Sequence, residues 1–320
     1  MQKTRDVVVC GSCVVDVLVR PVPLDEPLGA GRLVRTEPLV LATGGIVSNA
    51  GVTLARLGMS TAAFTYLGDD AWADVIRSRY AAEGLATGGL LTLAGVPTST
   101  TAVMIDPSGE RTFLHAVGAP KRLDKWAFLE NLDLFAASRA MLLGYFSLLP
   151  ALQDDLPEVL AAVRGVGCMT ALDAAGTGGT LAELAPSLPH LDLYVPSHKE
   201  ASHQTGEDDP ERILATLRDA GAAGVVGVKL GGEGALLSER AGECVAIAAV
   251  EPPGAVVDTT GAGDCFIGGL LCGLLRGMPL GEAGRLAAAC GARCVTALGA
   301  TTAAGDYEST ARLAGLGRPQ

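Results

Sequence analysis

Beyond about residue 120 the chain alternates short apolar runs with segments that repeat at helical spacing, and no other feature narrows its fold as far. Strand-sized runs at 140–143, 168–172 and 191–195 are separated by helical patterns at 152–163 and 180–184. Neighbouring parallel strands need a crossover between them, usually a helix. The order therefore predicts an α/β protein with a mainly parallel sheet covered on both faces, a three-layer α/β/α sandwich. Strands buried on both faces demand an apolar chain, and hydrophobic residues make up 49% of the 320 positions against 18% charged. A single domain over residues 1–320 is expected, since no repeat, charge block or low-complexity linker divides the sequence.

The first third reads differently. A buried strand at 7–13 runs on through 14–20, where Asp16 is a lone acid among apolar residues. Because an unpaired buried carboxylate is costly, Asp16 is either an edge or turn residue or a carboxylate kept to accept hydrogen bonds from ligand hydroxyls. A Pro/Gly loop at 21–31 leads to a strand at 32–42. Thr43-Gly44-Gly45 breaks it, and Val47, Ala50, Leu54 and Leu57 mark a helix that Gly58 ends. Asn49, in the first turn of that helix, either bonds to backbone or reaches a ligand hydroxyl. A strand at 61–67 and a helix at 71–83 follow, then strands at 89–94, 98–106 and 111–116, the last two joined by the turn Asp106-Pro107-Ser108-Gly109-Glu110. Paired with 14–20 and 32–42, this hairpin forms a small β-sheet lid, drawn from about 14–42 and 98–117, over a cleft. Farther on, a strand at 225–229 ends at Leu230-Gly231-Gly232-Glu233-Gly234, with strands at 235–237 and 244–250 beyond it.

Charge and composition exclude several partners. With 35 acidic against 24 basic residues the net charge is −11, which argues against nucleic acid, bound chiefly through an excess of Lys and Arg. No run reaches the roughly 18 apolar residues of a membrane span, so no membrane partner is expected. No long apolar segment lies behind Met1, so the chain is expected in the cytoplasm with its eight cysteines reduced. Cys10 and Cys13 have redox-pair spacing but lie in an apolar run with no second pair, and Cys290 and Cys294 share a helix face; both pairs read as core packing.

One string stands out chemically: Asp258-Thr259-Thr260-Gly261-Ala262-Gly263-Asp264, running into Cys265-Phe266-Ile267-Gly268-Gly269-Leu270. Turn formers feeding an apolar helical segment make a loop that opens into a buried helix. Gly261-Ala262-Gly263 lets the backbone pass close to a ligand, and the first turn of the helix adds unpaired N–H groups at the positive end of its dipole, which favours an anion. Asp264, at the edge of that place, can take a proton from a bound hydroxyl. The plain alternative is a glycine turn capping a helix. Other phosphate and hydrolase motifs are missing. There is no G-x-x-x-x-G-K-[ST] and no G-x-S-x-G. The G-x-G strings at 261–263 and 176–178 meet Phe266 and Leu181 where a dinucleotide fingerprint needs its third glycine.

The 258–264 string resembles the C-terminal signature of the ribokinase-like (PfkB) family of carbohydrate and nucleoside kinases, and the resemblance covers nearly the whole chain. Val8-Val9-Cys10-Gly11 with Asp16 is similar to the family's first strand and substrate-binding aspartate. Gly44-Gly45-Ile46-Val47-Ser48-Asn49-Ala50 is similar to its N-terminal signature, and Leu67-Gly68-Asp69-Asp70, Gly109-Glu110-Arg111-Thr112 and Lys229-Leu230-Gly231 follow in order. The resemblance implies that Asp264 is the base that deprotonates the acceptor hydroxyl, and that the N–H groups of Gly261, Ala262 and Gly263 form an anion hole for the γ-phosphoryl of ATP. It implies sugar contacts from Asp16, Gly44, Gly45 and Asn49, and an ATP site with Ser197, Lys229, Gly231, Gly232, Gly234 and Thr260. Magnesium bridging the ATP phosphates would be held through water by Glu200. A monovalent cation, K+, would be held by Asp258, by Thr260 and by carbonyls near Cys294, Ala297 and Gly299. Two departures stand out: Ser197 replaces the family's Asn in Asn-x-x-Glu, shortening that polar contact, and Ala73 replaces a common glycine.

Ile46 stands where members that phosphorylate sugar phosphates usually carry a lysine, so the resemblance implies a non-phosphorylated acceptor: a ribose-, fructose- or keto-sugar-acid-like sugar. Arg111, His115 and Lys121, near the lid end, read as solvated surface. The alternatives are an adenosine-like or pseudouridine-like nucleoside kinase, another small-alcohol kinase of the same fold, and a non-catalytic sugar- or nucleotide-binding relative. With aromatics at 4%, a base-stacking pocket is less favoured. Lid strands with a free apolar face would pair across a two-fold axis into a homodimer.

Overall fold

A computed structural model describes residues 3–29 and 31–317. In chain order its strands are β1 (Arg5–Gly11), β2 (Val14–Val19), β3 (Val40–Gly44), β4 (Thr61–Leu67), β5 (Ala86–Thr92), β6 (Thr100–Ile105), β7 (Arg111–Ala116), β8 (Ser138–Gly144), β9 (Met169–Asp173), β10 (Leu193–Tyr194), β11 (Val225–Lys229), β12 (Ala235–Ser238) and β13 (Val245–Ile247). The helices are α1 (Ile46–Arg56), α2 (Ala71–Ala82), α3 (Lys125–Leu129), α4 (Leu132–Ala136), α5 (Leu156–Gly165), α6 (Leu181–Leu184), α7 (His198–Thr205), α8 (Pro210–Asp219), α9 (Ala262–Leu275), α10 (Leu280–Cys294) and α11 (Tyr307–Leu313).

The main sheet has the order β13-β12-β11-β10-β9-β8-β1-β4-β5. All pairs from β11 to β5 are parallel, and β12 and β13 close one edge antiparallel. β1 shows why both faces are covered. Val7 and Val9 enter a core shared with α1, α2, α9 and α10, while Val8 and Cys10 enter a second core with α3, α4, α5 and α8. Period-2 alternation of apolar residues on both faces leaves water on neither, and each buried side chain contributes about 1.5–3 kcal/mol. The expected three-layer sandwich is therefore present. From β1 the chain builds toward β4 and β5 and then returns to add β8 to β11 on the other side, so the strand order reverses between β1 and β8. In an open α/β sheet the ligand crevice lies outside the carboxyl ends at such a reversal.

The second sheet, β3-β2-β6-β7, is the expected lid, with β2 antiparallel to β3 and parallel to β6. Three boundaries differ from the sequence reading. The first strand stops at Gly11, whose φ of 121° and contact with Gly144 O leave no room for a side chain, so β1 and β2 are separate. The strand expected at 32–42 is confined to Val40–Gly44. Residues 31–39 are almost wholly exposed, tied back by an Arg20–Glu37 ion pair, and a segment with no face to bury gains nothing from pairing. The strand expected at 244–250 shortens to Val245–Ile247. Asp16 is not at an edge, since β2 lies between β3 and β6.

Cys10, Cys13, Cys290 and Cys294 are free and buried, and loss of solvent pushes the Cys13 thiol up to about 12, which leaves it a packing group. Among the described residues no helix is long and apolar enough to cross a membrane.

Helix α9 is buried on nearly all sides from Cys265 to Gly273 and packs between α1 and α10. A Cβ on Gly269 would lie 2.7 Å from Cys290 Sγ and 2.9 Å from the Cα of Ala287, so the glycine sets how closely α9 and α10 approach. Gly269→Val is expected to destabilise the fold by about 2–3 kcal/mol, since overpacking against backbone outweighs the gain in helix propensity. Urea unfolding checks this; an unchanged midpoint would show that the interface can yield.

Candidate active site

Residues from the carboxyl ends of the central strands converge on the start of α9. Gly261 is the N-cap of that helix, with φ 78°, and a Cβ there would overlap Ala300, so both backbone and space require glycine. Among the described residues no side chain caps this helix, so its first-turn N–H groups and dipole face outward into a cleft. Ala262 N–H spends itself on a long 3.3 Å bond to Thr259 O.

Asp264, one helical turn in, is 4% exposed. Its Oδ2 accepts two hydrogen bonds, from Asn49 Nδ2 and from the Tyr145 hydroxyl, each at 2.7 Å. Burial pushes its pKa up, and the Asn49 and Tyr145 donors, with Lys229 nearby, hold it back. Asn49 sits in α1 with its Oδ1 buried and unpartnered. Tyr145 follows β8 with φ 62°, a left-handed conformation unusual for a side-chain-bearing residue, and its amide donates to Asp173 O. That strain turns the phenol toward α9.

Asp264 lines a cavity of about 700 Å³ together with Gly261, Ala262 and Gly263. The same cavity is lined by Ser197, Glu200, Lys229, Gly231, Gly232 and Gly234, so ten of the residues singled out in the sequence meet in one space. Its apolar end is formed by Val250, Pro252, Val256 and Val295. Ser197 and Glu200 form a capping box on α7: Ser197 N–H donates to Glu200 Oε2 at 2.8 Å, and Glu200 N–H to Ser197 Oγ at 3.4 Å. The cap fixes the Glu200 carboxylate at the cavity wall.

Asp16, Gly44, Gly45 and Asn49 are not among the residues that line this cavity; they lie together on the small sheet and at the start of α1. Asp16 on β2 faces Gly44, where a Cβ would sit 2.5 Å from Asp16 Oδ2, and Gly45, φ 81°, opens α1. Burial raises Asp16 to about 6, partly offset by Thr101, its neighbour on β6. Asn49 links this group to Asp264.

Other placements differ from expectation. Thr259 rather than Thr260 lines the cavity. Arg111 is not solvated surface: its Nη1 lies 2.7 Å from Asp258 Oδ1 and donates to Thr260 Oγ1 at 3.1 Å, with the side chain 21% exposed. His115 stays exposed, its Nδ1 3.0 Å from Thr101 Oγ1, and Lys121 is half-buried. Burial alone would raise Asp258, but Arg111 and the amides of Gly299 and Thr260 outweigh it and hold the carboxyl below its usual range.

Two members of the site escaped the sequence reading. Asp173 ends β9 and accepts from Lys229 Nζ at 2.8 Å, both buried. Burial disfavours the Lys229 ammonium, and the Asp173 carboxylate more than restores it. Asp173 carried a signal close to the one that marked Asp16, a lone acid beside an apolar run, though it ends its run where Asp16 interrupts one. Tyr145 carried only an aromatic after a strand glycine.

The sequence pattern of pfkB family carbohydrate kinases matches residues 4–306. The chain belongs to the pfkB carbohydrate kinase family. The kinase is 33% identical to aminoimidazole riboside kinase of Salmonella typhimurium (strain LT2) over 279 residues, 81% of this chain and 84% of that protein. It is 30% identical to fructokinase of Klebsiella pneumoniae, covering 92% of this chain and 94% of the other. The solved Arabidopsis thaliana ribokinase complexed with ribose and ATP superposes with a TM-score of 0.82 over 98% of this kinase and 99% of that chain, at 24% identity, a likeness of fold. The kinase is thus a sugar kinase, a phosphotransferase with an alcohol group as acceptor.

Tyr145→Phe removes one donor from Asp264, so its carboxylate holds a proton more tightly. A hydrogen bond donated to the carboxylate favours its charged form, so its loss should move the Asp264 titration midpoint upward. Carboxyl-carbon NMR titration reads this directly; a midpoint that stays or falls would sink the assignment of the phenol as a donor.

Proposed function

We propose that this kinase transfers the γ-phosphoryl group of ATP to a hydroxyl of a non-phosphorylated sugar, with Asp264 as general base. The observation that carries this reading is the position of Asp264. It is buried at the edge of an uncapped helix N-terminus, with Oδ2 held by two donors and Oδ1 left for an acceptor hydroxyl. The acceptor proton passes to Asp264 as the oxygen attacks the γ-phosphorus and the bond to the ADP oxygen breaks. The N–H groups of Gly261, Ala262 and Gly263 meet the charge on the transferring group, where fixed donors act without reorganising. ATP lies along Ser197, Lys229, Gly231, Gly232 and Gly234, with Thr260 shaping the loop and the apolar wall at Val250 and Val256 facing the base.

Glu200 would hold a magnesium ion that entered with ATP, and that ion would supply charge neutralisation at the phosphates. Among the described residues no cluster of three or more His, Cys, Asp or Glu forms a protein cage. Glu200 at the cavity wall, one oxygen in its cap, suits an ion held through water and ATP instead. Sugar hydroxyls meet Asp16 and the backbone at Gly44 and Gly45, and Asn49 Oδ1, buried without a partner, accepts one more. Ile46 leaves no ammonium for a substrate phosphate. The likeness to aminoimidazole riboside kinase supports a second reading, a riboside as acceptor in place of a free sugar. The intact Asp264 speaks against a non-catalytic binding relative.

ADP release with ATP and magnesium, screened over ribose, fructose, keto sugar acids, ribosides and hydroxymethyl heterocycles, tests the acceptor class; silence across the panel would defeat the reading. In the active pair, Asp264→Asn should cut turnover by roughly 10²-fold or more while ATP and acceptor affinities stay within a few fold. Near-normal turnover would dismiss Asp264 as the base.

Two chains pair through the lid in this proposal. Val40 and Phe113 are each more than half exposed on one face of it, in one row through Leu18 and Val103, an apolar strip that a second copy would cover. Light scattering should give twice the chain mass, and Phe113→Lys should return the mass to one chain; a monomer in the unaltered protein contradicts the pairing.

A further inference from the structure

The family resemblance makes Asp258 a ligand of a monovalent cation, and the residues around it do not fit one. Asp258 Oδ1 lies 2.7 Å from Arg111 Nη1 and accepts from Thr260 N at 2.9 Å, and Oδ2 accepts from Gly299 N at 2.9 Å. Three of the surrounding carbonyls are engaged as well. Val295 O accepts from the amides of Val257 and Asp258, and Thr260 O and Ala300 O each take the Cys294 thiol, at 3.3 and 3.2 Å. Asp258 and Arg111 already sum to zero charge, so an added cation would meet a guanidinium with no free carboxylate to offset it.

Arg111 is the first residue of β7, on the lid, 147 positions from Asp258 in sequence. Its Nε is buried without a partner, a cost that the ion pair offsets. Nη1 meets Asp258 and Thr260 together, directly before Gly261 caps α9. We propose that Arg111 is the built-in cation of this site: a positioning residue that holds the Asp258–Thr260 turn in the shape the phosphoryl-binding loop needs, so that the kinase works without a monovalent metal ion. The turnover part of this proposal rests on the sugar-kinase reading above; the loop-charge part does not.

The full chain is melted, and where an acceptor is known assayed, in KCl and in choline chloride at about 0.1 M, an ionic strength that screens exposed charges equally over about 10 Å. The unaltered protein should show the same melting midpoint in both salts and turnover within about twofold. Arg111→Gln should melt earlier in choline chloride and lose about tenfold or more in turnover with little change in KM for the acceptor, and KCl should restore part of both losses. Arg111→Lys, which keeps the charge, should remain indifferent to potassium. A midpoint or turnover of the unaltered protein that rises strongly with potassium overturns the proposal. So does an Arg111→Gln protein that matches the unaltered one in choline chloride, or one that loses stability without any response to potassium. If Arg111→Gln does not fold, the unaltered chain and Arg111→Lys still decide. Melting needs neither ATP nor acceptor, so a failed kinase assay leaves that comparison intact.

Discussion

A carboxylate sunk to 4% exposure needs donors, and Asp264 draws both of its donors from other elements: Asn49 from α1, which packs beside α9 on the same face of the sheet, and Tyr145 from the carboxyl end of β8. The positions of α1, β8 and α9 are therefore tied to one oxygen atom. α9 reaches that point only because glycines let it lie close to both α1 and α10, and β8 delivers its phenol only because Tyr145 accepts a left-handed backbone. The parallel sheet supplies the rest, since the strand-order reversal at β1 and β8 opens the crevice at the end where these groups meet.

Charge in the crevice is arranged in pairs. The chain is acidic overall, at −11, yet the proposed ATP cleft would have to accept a polyphosphate. Lys229 neutralises Asp173 and Arg111 neutralises Asp258, each at a separation below 3 Å. Two acids, Asp264 and Glu200, have no ion-pair partner at bonding distance among the described residues, and the N-terminus of α9 supplies positive potential without a side chain. Pairing leaves free the carboxylate nearest the cap.

The parts of the site legible in the sequence are those whose signal is local. The loop 258–264, the Gly44-Gly45-Asn49 entry to α1 and the Gly231-Gly232-Gly234 turn each announce themselves through backbone demands that a few consecutive residues must meet. The parallel sheet was legible for a related reason, because alternation along the chain dictates crossovers. Tyr145, Asp173 and Arg111 were not. Their partners lie 119, 56 and 147 positions away, so each looks like an unremarkable aromatic, strand-end acid or surface cation until the topology brings it home. Residues 31–39 misled for the opposite reason: local strand character there has no neighbouring strand or core face to realise it.

In the proposed reading, selectivity for the acceptor belongs to Asp16 and its neighbours beneath the lid, and the physics there differs. Asp16 is raised to about 6 by burial, with Thr101 the one side chain offsetting that rise. Such a carboxylate ionises more readily when a ligand brings donors to it, and two adjacent hydroxyls on one small molecule supply two hydrogen bonds at fixed spacing. Gly44 keeps that approach open, because a Cβ there would meet Asp16 Oδ2 at 2.5 Å. If Asp16 meets the acceptor as proposed, acceptor binding and the ionisation of Asp16 would be linked, and a polyol would gain from that linkage what a single alcohol would not. The phosphate end is built from backbone and glycine and recognises a charge. On the proposed reading the lid end hangs on one carboxylate seeking donors, so the spacing of hydroxyls in the acceptor, rather than its overall shape, is what this cleft would measure.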